Sequence, residues 1–536
     1  MTRTVRPWTH WVGILAVLAV VLAACGAQTP PATGDAESQP AAESQPAGNG
    51  DVVLGGELKI QLLRDADAGY DPALGTLSTV YTVNSLIFDT LGEVQSDGSI
   101  EPSLATGWEI SDDELTYTFT IREGVLFHNG REMTSEDVKY TIERIMDPET
   151  NSPRQSVYAA VQSIEAPDPT TLVIQLSEPF APLIPALSDI SAGIVPVEEV
   201  EAAGGNLNEN PVGTGPFRFV EWQQDQHVKV EAFEDYWREG LPYLDAVTVS
   251  FNDDANARAA NLRSATVDFL WNAPPELVDV FRADETLQTF GGEGTQSFQY
   301  MLLNMQRAPF DDVRVRQAIY WAVDRDAVRE ISRPGTTTPL NAGFLPATHW
   351  AGNDEVMYTQ DQDRAESLLE DAGLGDGFEM EILVLMGSDF HIRSAQAIQQ
   401  QLEPLGITVT VTTVDSGQQT ERRNSGEFDA IITGFSGTID PDERFTQTFG
   451  TGGGTNFVDF SDEEVDGLIE AARRTSDRDE RADLYRQAQN RIAEVGPMLF
   501  IYNYHFVDVL QEYVRGYEFN PQLVDYRSIR EVWLDR

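Results

Sequence analysis

The sequence predicts an α/β fold, because segments patterned as strands alternate with segments patterned as helices through most of the chain. The clearest stretch is 378–440, where three short apolar segments rich in β-branched residues are separated by two segments with helical spacing. We predict strands at 378–386, 407–414 and 428–433, and helices at 392–403 and 416–424. Because parallel strands need a crossover helix between them, this order implies a parallel α/β unit.

Elsewhere, single elements are predicted from local patterns. Apolar residues alternate with threonines over 115–121, which is typical of a strand with one buried face. Helix starts are predicted where an acidic or hydroxyl side chain accepts the first free backbone N–H groups. These starts are at Thr134 with Asp137, at Asp312, and at Ser461 with Glu464.

The loop at 434–442 is the predicted ligand-binding segment of the α/β unit. It follows the third predicted strand, and ligands of open α/β sheets lie beyond the carboxyl ends of the strands. The loop contains Phe435, Ser436 and Asp440, which supply an aromatic face and polar groups. The alternative interpretation is a solvated turn rich in glycine and aspartate.

The composition is strongly acidic. The 536 residues include 87 Asp and Glu against 36 Lys and Arg, which gives a formal net charge of -51. Because phosphate binding needs basic clusters and none is found in the sequence, nucleic acid is not an expected partner. The same charge disfavours docking of the folded surface on anionic lipid, and it favours cationic or neutral solutes.

Residues 1–24 are predicted to be a lipoprotein signal peptide. Arg3 and Arg6 precede an apolar stretch at 11–22 that is shorter than the ~20 residues needed to span a bilayer. Cys25, the single cysteine, ends a Leu-Ala-Ala-Cys sequence that resembles the lipobox of bacterial lipoproteins, in which the cysteine is acylated. The alternative is an ordinary secretory signal with an incidental cysteine.

Residues 25–50 are predicted to be a flexible tether, because they are rich in Ala, Pro, Gln, Ser and Gly and repeat the sequence AESQPA. We therefore expect an extracytoplasmic protein that is lipid-anchored to the outer face of the cytoplasmic membrane, in the periplasm or the cell-wall space.

The sequence carries no motif for a metal, a cofactor or a catalytic centre. Its six histidines are scattered, no HExxH occurs, and the glycine-rich stretch at 450–455 lacks the lysine of a phosphate loop. One cysteine excludes a disulfide framework and a cysteine-based metal site. We predict a protein that is not an enzyme, with no metal site and no cofactor. A carbohydrate-active enzyme with two separated carboxylates stays an alternative.

Several segments resemble family 5 of the extracellular solute-binding proteins, the peptide-, nickel- and opine-binding components of ABC importers. Each segment is a weak signal alone, and their order along the chain makes the resemblance specific. They are GGELKI at 55–60, YDP at 70–72, EPSLA at 101–105, IREGVLFHNG at 121–130, TSEDV at 134–138, PVGTGPF at 211–217 and PFDDVRVRQA at 309–318.

The resemblance implies a two-lobed fold of the periplasmic-binding-protein type (type II, cluster C-like), with an extra domain in the first lobe. The main domain of lobe one would combine 51–95, 212–290 and 506–536. The extra domain would be 96–211, and lobe two would be 291–505.

The function implied by the resemblance is capture of a small solute, with a peptide favoured, and its delivery to ABC permease subunits. The expected partners are the solute, the permease and the lipid bilayer through Cys25, and the chain is expected to be a monomer. Alternatives on the same scaffold are binding of an oligosaccharide, an opine or a metal chelate, or a ligand sensor that serves no transport.

Candidate ligand-binding residues lie at the predicted rims of the lobes. In the family, the loop corresponding to 434–442 carries an aspartate that holds an amino group of the solute. This chain has Thr438 and Ile439 at that place. Asp440 matches a later aspartate of the family, which is more often structural. For each candidate, a role in packing or bracing is the alternative. The candidates are Tyr70, Trp271, Asn272, Asn304, Phe344, Phe435, Ser436 and Asp440.

Overall fold

The computed structural model describes residues 52–66, 68–292, 295–340, 342–521 and 526–536. The predicted signal peptide, Cys25 and the predicted tether lie outside the described residues. Among the described residues, no helix combines the length and the apolar character needed to cross a bilayer.

The first lobe is built on a seven-stranded mixed sheet. Glu57–Leu62 runs parallel to its two neighbours, and the other pairs of adjacent strands are antiparallel. The strand order is Leu287–Gly291, Val507–Gln511, Phe269–Leu270, Glu57–Leu62, Ala246–Phe251, His227–Ala232 and Phe217–Gln223.

A four-stranded antiparallel sheet forms a second part of the first lobe. Its strands, in spatial order, are Ala105–Ile110, Thr116–Ile121, Thr171–Leu176 and Val161–Asp168. The predicted strand at 115–121 is confirmed over Thr116–Ile121, with Tyr117, Phe119 and Ile121 buried. Arg144 joins the two parts, because its guanidinium donates to the buried Asp71 carboxylate at 3.1 and 2.6 Å.

The second lobe is built on a six-stranded sheet with apolar side chains packed on both faces. The predicted parallel unit is confirmed, because Glu379–Leu385 pairs in parallel with strands on each side of it. The strand order is Thr337–Pro339, Met498–Tyr504, Phe298–Leu303, Ala430–Phe435, Glu379–Leu385 and Thr408–Val414.

The α-helices cover the sheets and connect them. The remaining strands form two short antiparallel ladders, Gly92–Val94 with Ile100–Pro102 and Val514–Arg515 with Trp533–Leu534. The α-helices are Ser78–Ile87, Ser135–Met146, Leu183–Ser188, Val197–Ala202, Ala255–Arg263, Val278–Arg282, Val313–Ala322, Arg325–Ser332, Gln362–Asp371, Asp389–Leu402, Ser416–Ser425, Pro441–Arg444, Glu463–Arg473 and Arg478–Val495.

Two of the predicted helix starts are confirmed. The backbone N–H of Thr134 donates to Asp137 at 2.9 Å, and the Asp312 carboxylate accepts from the N–H of Arg314 at 2.9 Å. The start predicted at Ser461 is wrong by one residue, because Asp462 accepts from the N–H groups of Glu464 and Val465 and caps Glu463–Arg473.

Two boundaries in the parallel unit also differ from the prediction. The helix predicted from 392 begins at Asp389, and Ser388 is the residue that precedes its first turn. The strand predicted over 428–433 lies at Ala430–Phe435, because Gly434 and Phe435 pair with Gln299 and Phe298. The first two residues of the predicted binding loop therefore belong to the strand.

The chain crosses between the two lobes at neighbouring places. It leaves the seven-stranded sheet after Gly291 and enters the six-stranded sheet at Phe298, and it returns between Tyr504 and Val507. The division into domain segments expected from the family resemblance stays a prediction.

Asp508, next to the second crossing, is a fully buried carboxylate. It accepts hydrogen bonds from the N–H of Asn272 at 2.9 Å and from the hydroxyls of Tyr517 and Tyr526 at 2.7 and 3.0 Å. Burial raises the pKa of Asp508 to about 6, because removing a carboxylate from water disfavours its charged form.

Stability is therefore expected to depend on the protonation of Asp508. The folded state holds this proton more tightly than the unfolded chain does, so the stabilisation is present below about pH 4 and is lost as the pH rises through about 6. At 1.36 kcal/mol per pKa unit, the free energy of unfolding of the wild type should fall by about 2–3 kcal/mol over this pH range. In Asp508→Asn this fall should disappear. Urea unfolding at pH 4 to 7 measures it, with the exposed Asp279→Asn as control. An unchanged pH slope in Asp508→Asn would exclude this role.

Candidate functional site between the two lobes

A cleft between the two lobes is the candidate functional site, and Ile439 borders three of the cavities in it. One of these, which we call the polar cavity, has a volume of about 190 Å³. Its first-lobe wall includes Ser78, Tyr81, Arg154 and Asp189, and its second-lobe wall includes Ser436, Gly437, Thr438, Ile439, Glu443 and Arg444. A second cavity adjoins it, and we call it the apolar pocket after the apolar part of its first-lobe lining, Val157, Phe180, Pro182, Pro185 and Ala186. Polar and charged residues complete its lining, among them Arg154 and Asp189 of the first lobe and Asp440, Asp442, Glu443 and Arg473 of the second.

An ion pair crosses the cleft between these two cavities and borders both of them. Arg154 of the first lobe donates to the Glu443 carboxylate of the second lobe at 2.7 Å and to the Tyr81 hydroxyl at 2.5 Å. Burial by itself would lower the pKa of Arg154. The charges of Asp189 and Glu443 and the hydrogen bond to Tyr81 outweigh burial and raise it. The pair therefore joins the lobes where they enclose the cavities.

The loop that carries Ile439 is held by a buried ion pair. Arg481 donates to both oxygens of Asp440, at 2.9 and 2.7 Å, and both side chains are buried. Asp440 Oδ1 also accepts from the N–H of Asp442 at 2.9 Å, which caps the short helix Pro441–Arg444. Because Asp440 is fully engaged in this way, the geometry favours the bracing role over direct ligand contact.

Asp442 adds a second buried acid at this wall. Its Oδ1 lies 3.3 Å from Nε of Arg473. Burial raises the pKa of Asp442 to about 7, and Arg473 opposes that shift.

An aromatic and cationic stack adjoins the polar cavity. The ring of Phe435 stacks on Tyr300 with centroids 5.0 Å apart, and the guanidinium carbon of Arg444 lies 3.7 Å from the centre of the Phe435 ring. Nη2 of Arg444 donates to the carbonyl of Ser436 at 3.3 Å. Such stacking holds an arginine head in place while its N–H groups stay available.

The structure brings only part of the predicted site together. Ser436 and Asp440 border cavities of the cleft, and Phe435 supports Arg444 at its edge. Trp271 and Asn272 lie near the chain crossing, where the Trp271 ring is 6.0 Å from that of Phe506 and Asn272 donates its N–H to Asp508.

The other candidates have partners inside the lobes. Tyr70 is fully buried and donates its hydroxyl to Asp65 at 2.6 Å. The Asn304 amide donates to the carbonyls of Gly426 and Phe428, both at 3.0 Å, and Phe344 stacks on Phe449 within the second-lobe core. Solute contact by any of the eight candidates stays a prediction.

The sequence prediction missed all four charged residues of the polar cavity, which are Arg154, Asp189, Glu443 and Arg444. Arg154 and Glu443 are 289 positions apart, and no local pattern links them. Arg444 follows the predicted loop by two residues. The one signal for it in the sequence was its position four residues after Asp440. Within the described residues, no group of three or more His, Cys, Asp or Glu side chains is arranged to hold a metal ion.

Comparison with known proteins identifies the family. The model of the bacterial extracellular solute-binding proteins, family 5 (middle region), matches residues 99–457. The chain belongs to this family. The resemblance seen in the sequence is thereby confirmed.

Relatives and solved structures agree with this assignment. Heme-binding protein A of Haemophilus influenzae is 32% identical, over 85% of this chain and 89% of that protein. The glutathione-binding protein GsiB of Salmonella typhi is 30% identical, over 76% and 81%. The ABC transporter-associated periplasmic binding protein DppA of Helicobacter pylori, solved in complex with the peptide STSA, is 27% identical, with a TM-score of 0.78 over 90% of this chain and 99% of that one.

These likenesses confirm the two-lobed α/β fold of periplasmic binding proteins. In family 5, solute-binding proteins serve ABC importers, and the relatives are named for solutes as different as heme, glutathione and a peptide.

We expect Arg154→Met to favour separation of the lobes, because it removes the ion pair with Glu443. A partly exposed pair contributes about 0.5–1 kcal/mol, so the ratio of closed to open molecules should fall about two- to fivefold. Small-angle scattering would report the change as a larger radius of gyration. The control is Arg474→Met, which removes a more exposed interlobe contact, to Glu178 at 3.5 Å. Equal effects of the two variants would contradict a special role for Arg154.

Proposed function

We propose that this chain is the lipid-anchored solute receptor of an ABC importer. It captures a peptide or a similar small solute between its lobes and delivers it to the permease, without breaking a bond. The observation that carries the proposal is the cleft, in which Ile439 and its loop face a wall made by the other lobe. Binding sites of this kind are concave, mostly apolar, and carry a few convergent polar groups.

A peptide is the favoured solute for two reasons. Family members include a dipeptide-binding protein and a periplasmic binding protein solved with the peptide STSA. In addition, the polar cavity adjoins the apolar pocket, so the cleft offers hydrogen-bonding groups for a backbone beside space for an apolar side chain.

Membrane attachment is proposed from the sequence around Cys25. Two or more acyl chains are needed for stable anchoring, and lipoprotein modification supplies them. The full chain should partition into the detergent phase of a phase-separation assay, whereas Cys25→Ser should stay in the aqueous phase; detergent partitioning of both would contradict the anchor.

Solute binding is tested by narrowing the cleft. Ile439→Trp fills the point where three cavities meet, so it should weaken solute binding at least about tenfold without lowering the melting temperature of the unliganded protein. Native mass spectrometry of the purified chain, followed by thermal-shift screening with peptides, identifies the solute and measures its binding.

The matched control is Ile331→Trp, which adds the same bulk on an exposed helix of the second lobe and should leave binding unchanged. Full binding by Ile439→Trp would remove the cleft from consideration. A saccharide that stabilises the protein where no peptide does would overturn the peptide assignment.

A further inference from the structure

Arg444 is a cation that borders the polar cavity without a carboxylate partner among the described residues. It ends the short helix Pro441–Arg444, it is half-buried, and its guanidinium lies over the ring of Phe435 at 3.7 Å. Its hydrogen bond goes to a neutral acceptor, the carbonyl of Ser436. Burial lowers the pKa of Arg444, because its charge is taken out of water and the neighbouring charges do not fully compensate.

The acids that share the polar cavity or the loop with Arg444 have other partners. Glu443 is bound by Arg154 at 2.7 Å, and Asp440 is bound by Arg481. Asp189 accepts from the N–H of Ser191 at 2.8 Å, and its charge acts on Arg154. Among the described residues, Arg444 therefore forms no ion pair with a carboxylate, although the charge of Glu443 acts on it.

The neighbouring loop forms part of the same wall. Ser436, Gly437, Thr438 and Ile439 line the polar cavity, and none of their backbone N–H groups donates to a described residue. Backbone N–H groups beside an arginine form an environment that stabilises an oxyanion, and the planar fork of a guanidinium matches a carboxylate in particular.

We propose that Arg444, together with the 436–439 loop, binds a carboxylate of the solute. This inference rests on the proposed function, since it assigns a chemical class to the solute of the same cleft. It also reverses an expectation from composition: the net acidity of the chain favours cationic or neutral solutes, whereas the unpaired charge at this wall is positive. A peptide carboxylate and a non-peptide carboxylate share the required chemistry.

The test compares carboxylates with their uncharged amides. The probes are a tripeptide library made once as free acids and once as C-terminal amides, and a panel of small non-peptide carboxylic acids with their primary amides. Binding to the full chain is measured by native mass spectrometry and by titration calorimetry. Wild type should prefer acid over amide by about tenfold or more, since a hydrogen-bonded charged group contributes that much to affinity.

Arg444→Gln should reduce this preference to within about threefold and should leave the affinity for amides nearly unchanged, while Arg444→Lys should keep part of the preference. The matched control is Arg423→Gln. Arg423 likewise lies over an aromatic ring, that of Phe457 at 4.0 Å, but it borders a recess on another side of the second lobe. This variant should keep the full preference.

The outcomes separate this inference from the proposed function. If peptide acids and amides bind wild type equally, or if Arg444→Gln weakens both equally, the carboxylate assignment is overturned and solute capture stands. If only non-peptide acids bind, and their binding depends on Arg444, the carboxylate assignment stands and the peptide assignment fails. If no probe binds, both are overturned.

Discussion

The buried ion pair between Asp440 and Arg481 is the constraint on which the candidate site depends. Breaking such a pair leaves a charge in a low-dielectric interior, so both side chains stay in place. Asp440 in turn caps the helix Pro441–Arg444, which fixes the positions of Glu443 and Arg444. Ile439, one residue before Asp440, is thereby held at the cavities that it lines together with first-lobe residues. The loop is therefore a rigid wall of the cleft.

The ion pairs across the cleft are more exposed to solvent than the pair between Asp440 and Arg481. Arg154 and Glu443 are partly exposed, and the contact between Arg474 and Glu178 is more so. Ion pairs of this kind contribute little individually, because water and salt screen them. Since each lobe has its own buried core, the interface can open without unfolding either one. A bound solute that touches both walls can then shift the population toward closure.

Net charge and local charge give different information about the solute. The formal charge of -51 describes the whole chain. The polar cavity is lined by two arginines and two acids, and Arg154 and Glu443 neutralise each other. The four formal charges of the cavity sum to zero, and Asp189, on the first-lobe wall, acts on Arg154. On the loop side, Arg444 is the charge that forms no ion pair with a carboxylate of the described residues, although the charge of Glu443 acts on it. Because electrostatic interactions weaken steeply with distance in water, the few charges at the wall affect a bound group more than the remote surface does.

The sequence by itself determined the α/β class, the alternating strand at 116–121, two of the three capped helix starts and the family, because these depend on local periodicity, capping chemistry and the order of motifs. Tertiary structure decided the rest. Pairing with Phe298 and Gln299 extended the third strand of the parallel unit to Phe435 and shortened the loop. Packing enclosed Tyr70, Asn304 and Phe344 within the lobes. The cleft itself depends on pairs such as Arg154 and Glu443, which are distant in sequence and meet only when two separately folded lobes come together.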